Sequence, residues 1–150
     1  MSLQIRLMED MKQAMKEKEA GKFRLSVIRM VRASIKNLEI DKKRELSNDE
    51  VLDVLAREVK MRRDSREEFQ KAGREDLAQT AEDEIAVLVQ YLPKQLKVDE
   101  VRQLVREAIA EVGASSEKEL GKVMSALMPK VKGKADGKLV NTIVREELAK

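Results

Sequence analysis

The chain has 150 residues, of which 42% are hydrophobic and 39% charged, and its formal net charge is +3. This balance is too apolar for a disordered chain and too charged for a membrane-spanning one. Cysteine and histidine are both absent, which excludes disulfides, thiolate or imidazole metal ligands, and the Cys–His and Ser–His–Asp catalytic arrangements. We therefore expect no catalytic residue, no metal site and no cofactor.

The N-terminal segment gives evidence on the cellular location of the protein. Residues Met1–Arg6 contain no apolar stretch of the signal-peptide type, and no segment of the chain approaches 18 apolar residues. On these grounds we predict a cytoplasmic protein that does not bind or cross a membrane.

The charges are unevenly distributed. Residues 1–44 carry 12 Lys and Arg against 6 Asp and Glu, residues 45–96 carry 8 against 13, and residues 97–150 carry 11 against 9. A basic start, an acidic middle and a mildly basic end indicate local fields, not the uniform positive charge of a general nucleic-acid binder.

The first two predicted elements are amphipathic helices. Apolar residues recur at helical spacing from about residue 3 to 18, and a second apolar stripe runs from Phe23 to Leu38. With only three aromatic residues in the chain, the core must consist of Leu, Val, Ile, Ala and Met, and we interpret five methionines as core residues. These are Met8, Met11, Met15, Met124 and Met128.

Two more helices are predicted before a proline. Ser47–Glu50 is a capping box that opens a third helix, which ends near Gly73 because glycine adopts the left-handed cap conformation readily. Residues 74–91 form the fourth helix. Pro93 ends it and marks the predicted domain boundary.

Three helices follow the proline. Val98–Glu100 opens the first, which ends at Gly113. A second capping box, Ser116–Glu119, opens the next helix, and Pro129 closes it. Asp136 caps the last helix.

The predicted fold is therefore all-α and multihelical, without strands. An N-terminal domain of four helices spans residues 1–93, and a C-terminal three-helix bundle spans residues 97–150.

The acidic residues of the third and fourth helices could in principle supply oxygen ligands to a metal. Because arginines are interspersed among them, we interpret them as a solvated face of exposed ion pairs. The acidic residues are Asp64, Glu67, Glu68, Glu75, Asp76, Glu82, Asp83 and Glu84, and the arginines are Arg62, Arg63, Arg66 and Arg74.

A lysine-rich segment precedes the last helix and is the first candidate binding site. Five lysines lie within 17 residues, opposed by the single acidic residue Asp136, and Gly133 and Gly137 would let a ligand approach the backbone closely. Helix N-termini and lysines both attract anions, so a phosphate backbone is a fitting partner, although an ordinary solvated loop has the same composition. The lysines are Lys122, Lys130, Lys132, Lys134 and Lys138.

A second basic line follows one side of the second helix. It comprises Lys22, Arg29, Arg32 and Lys36, which could contact phosphate, contact membrane headgroups or simply face solvent. No aromatic residues are interspersed with these basic side chains, so recognition of single-stranded nucleic acid by stacking of its bases is not expected.

The residues from Gly121 to Met124 and from Met128 to Asn141 resemble the GatB/YqeY family, and Phe23–Met30 and Tyr91–Pro93 extend this resemblance over the chain. The whole is similar to free-standing YqeY-like proteins, and its C-terminal part to the tail domain of the B subunit of the tRNA-dependent amidotransferase. That subunit's tail usually has Asn-Pro where this chain has Asp136–Gly137.

The resemblance implies a tRNA-binding accessory protein without catalysis of its own. One alternative is an adaptor whose acidic third and fourth helices dock onto an aminoacyl-tRNA synthetase or amidotransferase. Another, less favoured, is carbon–nitrogen ligase activity with glutamine as amide donor, as part of a complex.

Overall fold

A computed structural model describes residues 2–150. This part of the chain contains seven α-helices and three short 3₁₀ segments and no β-strand, which confirms the predicted all-α class. The chain divides into two units between Leu92 and Pro93, called here the N-terminal unit and the C-terminal unit.

The N-terminal unit contains four helices. Tight 3₁₀ turns follow the first and the last of them, at Lys18–Gly21 and Val89–Tyr91. Leu92 is extended (φ −88°, ψ 160°), as expected of a residue that precedes proline. The fourth helix therefore ends at Leu88, three residues earlier than predicted. The helices are α1 (Leu3–Lys16), α2 (Lys22–Lys42), α3 (Asn48–Lys71) and α4 (Glu75–Leu88).

Local hydrogen bonds explain where α3 begins. The Ser47 hydroxyl accepts from the Glu50 N–H at 3.2 Å, and the Glu50 carboxylate accepts from the Ser47 N–H at 3.0 Å, so the predicted capping box is confirmed. Arg44 and Lys42 also donate to Glu50. These hydrogen bonds, of which that from Arg44 has the larger effect, hold the pKa of the Glu50 carboxyl well below the usual range.

Each helix of the N-terminal unit contributes a fully buried leucine or isoleucine to one core. Leu7 of α1, Ile28 of α2, Leu55 of α3 and Leu88 of α4 have no exposed surface. Burying one such side chain contributes roughly 1.5–3 kcal/mol relative to leaving it exposed. The helix pairs α1–α2 and α3–α4 make the most extensive contacts within the unit.

Some residues predicted to lie in the core are exposed. Phe23 is 42% exposed, Met8 41% and Met15 50%, and in the C-terminal unit Met128 is 40% exposed. Met8 and Met15 each follow a buried residue, Leu7 and Ala14, so a rotation of about 100° along the helix carries them to the edge of the apolar face.

The third helix contains a buried charge that the sequence pattern did not reveal. Arg62 is 8% exposed and donates to Glu58, itself 9% exposed, at 2.6 Å and to Glu84 of α4 at 2.9 Å. The Ser34 hydroxyl of α2 donates to the other oxygen of Glu58 at 2.9 Å. The interpretation of this region as a wholly solvated face is therefore wrong at the Arg62 cluster, where packing of three helices excludes water.

The C-terminal unit contains three helices, and α5 packs against both of the others. Val105 of α5, Leu127 of α6 and Ile143 of α7 are at most 1% exposed and form the centre of its core. The helices are α5 (Val98–Val112), α6 (Leu120–Val131) and α7 (Gly137–Leu148).

The capping box predicted before α6 is absent, and the predicted end of this helix at Pro129 is wrong. The Ser116 side chain makes no capping hydrogen bond; instead Glu119 accepts from the Ser115 N–H at 3.4 Å, and a 3₁₀ turn precedes the helix. At the other end, Pro129 lies inside α6, which continues to Val131. Proline removes one backbone hydrogen bond of the helix there, and Val131, 2% exposed, anchors the last turn in the core.

Candidate functional site

The lysine-rich segment forms a tight bend between α6 and α7. The N–H groups of Lys134 and Ala135 both donate to the Val131 carbonyl, at 2.8 and 3.2 Å. Gly133 has a φ of +72°, a left-handed conformation that favours glycine. The backbone of the bend is therefore folded on itself and anchored to the buried end of α6.

A short segment before α5 clamps the bend from the other side. The Leu96 N–H donates to the Lys134 carbonyl at 2.8 Å, and the Gln95 side-chain amide donates to the Gly133 carbonyl at 2.8 Å and to Pro93 at 2.9 Å. The contacts with the bend join residues 38 positions apart in the chain, and they hold the bend in one conformation.

The lysine side chains differ in their surroundings. Lys122, Lys130, Lys132 and Lys138 are exposed, and Lys134 is half-buried. Lys130 forms an ion pair with Glu111 of α5 at 3.4 Å, but both side chains are largely solvated, so the pair is weak. Within residues 2–150, the ammonium groups of Lys122 and Lys134 form neither hydrogen bond nor ion pair.

The start of α7 offers fewer free amides than the sequence suggests. The Asp136 carboxylate accepts from the Lys138 N–H at 3.2 Å, which confirms Asp136 as the helix cap and occupies one of the first-turn donors. Gly137 is the exposed first residue of the helix. Attraction of an anion to this surface therefore depends on the lysine ammonium groups more than on the helix terminus.

The second basic line lies in the N-terminal unit, where the structure brings three of its four residues together. Arg29, Arg32 and Lys36 of α2 line a cavity of about 350 Å³ against α1, whereas Lys22, the exposed first residue of α2, does not line it. The sequence placed these residues on one side of α2, but the cavity depends on the position of α1.

Other kinds of site find no support in the described part of the chain. Among residues 2–150, no group of three acidic side chains converges as a metal site would require. None of the helices that the structure describes is long and apolar enough to cross a bilayer.

The clamp by Gln95 and Leu96 is the feature of the lysine-rich site that sequence reasoning missed, since no local pattern signals a contact between residues so far apart in the chain.

Comparison with known protein families identifies the family of the chain. The family model described as Yqey-like protein matches residues 4–148. The chain therefore belongs to the YqeY-like family, as the resemblance implied.

Three relatives share the name "Altered inheritance of mitochondria protein 41, mitochondrial". The protein of Pyrenophora tritici-repentis is 30% identical over 94% of this chain and 78% of its own length. That of Candida glabrata is 35% identical over 83% of this chain and 68% of its own length. The match to the Kluyveromyces lactis protein is 41% identical over 57% of this chain and spans only 45% of that relative.

These names contradict the predicted cytoplasmic location, because all three relatives are named as mitochondrial. The prediction was based on the absence of an apolar segment, and that absence concerns only secretory and membrane-spanning signals. Mitochondrial transit peptides are amphipathic and need no apolar segment, so the inference to the cytoplasm was wrong.

Proposed function

We propose that the protein is a tRNA-binding accessory protein whose C-terminal unit contacts the phosphate backbone. The single observation that carries the proposal is the clamped bend and the lysines in and beside it: Lys132 and Lys134 lie in the bend, Lys122 and Lys130 in α6 before it and Lys138 in α7 after it. A rigid bend loses little conformational freedom when it binds, so its cations favour association more than lysines of a mobile loop would.

The chemistry of the C-terminal unit favours backbone contact over reading of bases. Residues 93–150 contain no Phe, Tyr or Trp, so no base can stack on an aromatic ring there. Lysine ammonium groups bind phosphate as point charges without sequence information, and structured RNA is recognised largely by shape and backbone. We therefore expect binding of tRNA in bulk, without strong preference for its sequence.

The contribution of four lysines in and next to the bend, called here the bend lysines, can be tested by removing their charges. Changing Lys130, Lys132, Lys134 and Lys138 together to alanine is expected to weaken tRNA binding roughly a hundredfold at low salt, because four phosphate contacts are lost. Binding is measured by filter retention or fluorescence anisotropy with bulk tRNA. Circular dichroism should show unchanged helicity, since these side chains lie outside the core.

A matched variant separates specific contact from net charge. Lys12, Lys16, Lys71 and Lys118 are exposed lysines outside the bend, and changing them to alanine removes the same total charge. This control should bind within about threefold of the parent, because screening weakens distant charges. Equal losses in both variants would show that the bend is not the contact surface.

The acidic surface offers weaker support for the adaptor hypothesis. Many of its carboxylates are already neutralised within the N-terminal unit: Arg62 pairs with Glu84, Arg66 with Glu82 and Arg74 with Asp76. A partner would have to displace these arginines or match an alternating pattern of charge. We therefore retain tRNA binding as the proposed function.

A further inference from the structure

The cavity between α1 and α2 has a composition that the proposed RNA surface does not explain. Its lining includes three apolar residues, Leu7, Ala33 and Ile35, of which Ala33 is exposed. It also carries the positive groups of Arg29, Arg32 and Lys36. At about 350 Å³, its volume is in the range of small-molecule sites.

The cations of this cavity form no ion pair within residues 2–150, whereas five of the ten arginines of the unit do. The Arg32 guanidinium is half-buried, and its one hydrogen bond within residues 2–150 goes to the Met11 thioether at 3.0 Å, a weak acceptor. The Arg29 and Lys36 side chains make no hydrogen bond or ion pair in the described part of the chain. By contrast, five other arginines of the unit pair with carboxylates: Arg24, Arg44, Arg62, Arg66 and Arg74.

The one acidic residue of the cavity lining is Glu39, and it already has two hydrogen-bond donors, one of them Gln4 of the same lining. Glu39 accepts from the Leu46 N–H at 2.9 Å and from the Gln4 amide at 3.1 Å. These hydrogen bonds lower the pKa of the Glu39 carboxyl, and the one from Leu46 has the largest effect, so the carboxyl stays charged. The cavity thus carries three positive groups and one negative group.

We propose that this cavity binds a small molecule that carries a phosphate monoester next to an apolar group. A phosphate monoester has a charge of about −1.5 to −2 at pH 7, which matches the net charge of the cavity lining. The planar Arg32 donors suit phosphate oxygens, and a half-buried cation gains most from a charged acceptor. The apolar part of the ligand would lie against the exposed Ala33 of the lining.

A compact ligand fits better than an RNA backbone. Phosphates of RNA are separated by polar sugars and would not cover the apolar part of the lining, whereas a single phosphorylated molecule can contact the cations and the apolar part together. This proposal uses residues of the N-terminal unit alone and is independent of the lysine bend.

Phenyl phosphate and inorganic phosphate are suitable probes for the full chain. In a titration followed by ¹H–¹⁵N NMR, phenyl phosphate is expected to shift the backbone amides around Gln4, Leu7 and Ile35. It should bind about tenfold more tightly than inorganic phosphate because its ring covers apolar surface. The absence of shifts on α1 and α2 at several millimolar phenyl phosphate would overturn the proposal.

Variants locate the site. Arg32→Met preserves the apolar stem beside Met11 and is expected to weaken phenyl phosphate at least tenfold, since a hydrogen bond to a charged group is lost. Arg29→Gln and Lys36→Gln change exposed positions, so they keep the test decisive if Arg32→Met fails to fold. Arg57→Gln is the control: Arg57 is an exposed α3 arginine with no hydrogen bond or ion pair within residues 2–150, and its loss should change the affinity less than twofold.

A competition experiment distinguishes the two sources of phosphate, RNA and a small phosphorylated molecule. Bulk tRNA added to the phenyl phosphate complex should leave the α1 and α2 shifts in place, and the alanine variant of the four bend lysines should bind phenyl phosphate as the parent does. If tRNA shifts these amides while phenyl phosphate does not, the cavity serves RNA and the small-molecule proposal is wrong.

Discussion

Replacing Arg62 with alanine is expected to lower the free energy of unfolding of the N-terminal unit by about 3 kcal/mol or more. Arg62 is 8% exposed and is the charged partner of Glu58, which is 9% exposed. Without the guanidinium, the Glu58 carboxylate would remain buried with only the Ser34 hydroxyl to stabilise it. An uncompensated buried charge costs far more than the loss of a solvated ion pair.

Urea denaturation followed by Tyr91 fluorescence measures this effect. Tyr91 is the single tyrosine of a chain without tryptophan, and it is buried in the N-terminal unit, so its emission reports on that unit alone. Arg66→Ala is the matched control one turn further along α3: it removes the more exposed pair with Glu82 and should cost at most about 1 kcal/mol.

A second-site change tests the cause. Adding Glu58→Met to Arg62→Ala removes the stranded carboxylate and should recover part of the lost stability. An Arg62→Ala protein as stable as the Arg66→Ala control would show that the cluster is not a buried charge network.

Gly21→Ala is expected to destabilise the N-terminal unit by about 2–3 kcal/mol, because there is no room for a methyl group. A Cβ at position 21 would collide with the Ala14 carbonyl oxygen and lie 2.9 Å from its carbon, and both are backbone atoms of α1 that cannot rotate away. The conformation of Gly21, with φ −98°, is open to any residue. The whole effect is therefore one of packing at the junction of α1 and α2.

Gly121→Ala is the control for the loss of a glycine. Position 121 lies within α6, and a methyl carbon there would have no neighbouring atom within 4 Å, so alanine should leave stability unchanged or raise it by up to about 1 kcal/mol. Denaturation curves by circular dichroism follow both variants, and Tyr91 emission follows the N-terminal unit of Gly21→Ala. A Gly21→Ala protein with parental stability would contradict the close approach of α1 to α2.

The helices and several of their ends could be predicted from sequence because the signals are local. Apolar spacing indicated all seven helices, and the side chains of Ser47 and Asp136 cap the helices that they were expected to cap. The Ser116 prediction failed because its neighbour Ser115 reaches Glu119 instead. A capping box pairs the carboxylate with the backbone N–H of the cap residue, and two adjacent serines offer two such N–H groups, between which the local pattern does not decide.

The features that sequence could not supply all depend on contacts between distant residues. Burial of Arg62 requires α2, α3 and α4 to pack around it. The clamp on the lysine bend joins Gln95 to Gly133, and the cavity beside Arg32 needs α1 to lie against α2. Composition identified the lysines and arginines as candidates, and the structure shows the surroundings in which each would act; their role in binding stays a prediction.

The salt dependence of tRNA binding tests the central claim most directly. If the bend lysines neutralise phosphates, log Kd of the parent should rise linearly with log salt concentration, and changing Lys130, Lys132, Lys134 and Lys138 to alanine should reduce that slope by about 3. A parent affinity that does not vary between about 50 and about 200 mM salt, or a variant with the parental slope, would contradict phosphate contact at the bend.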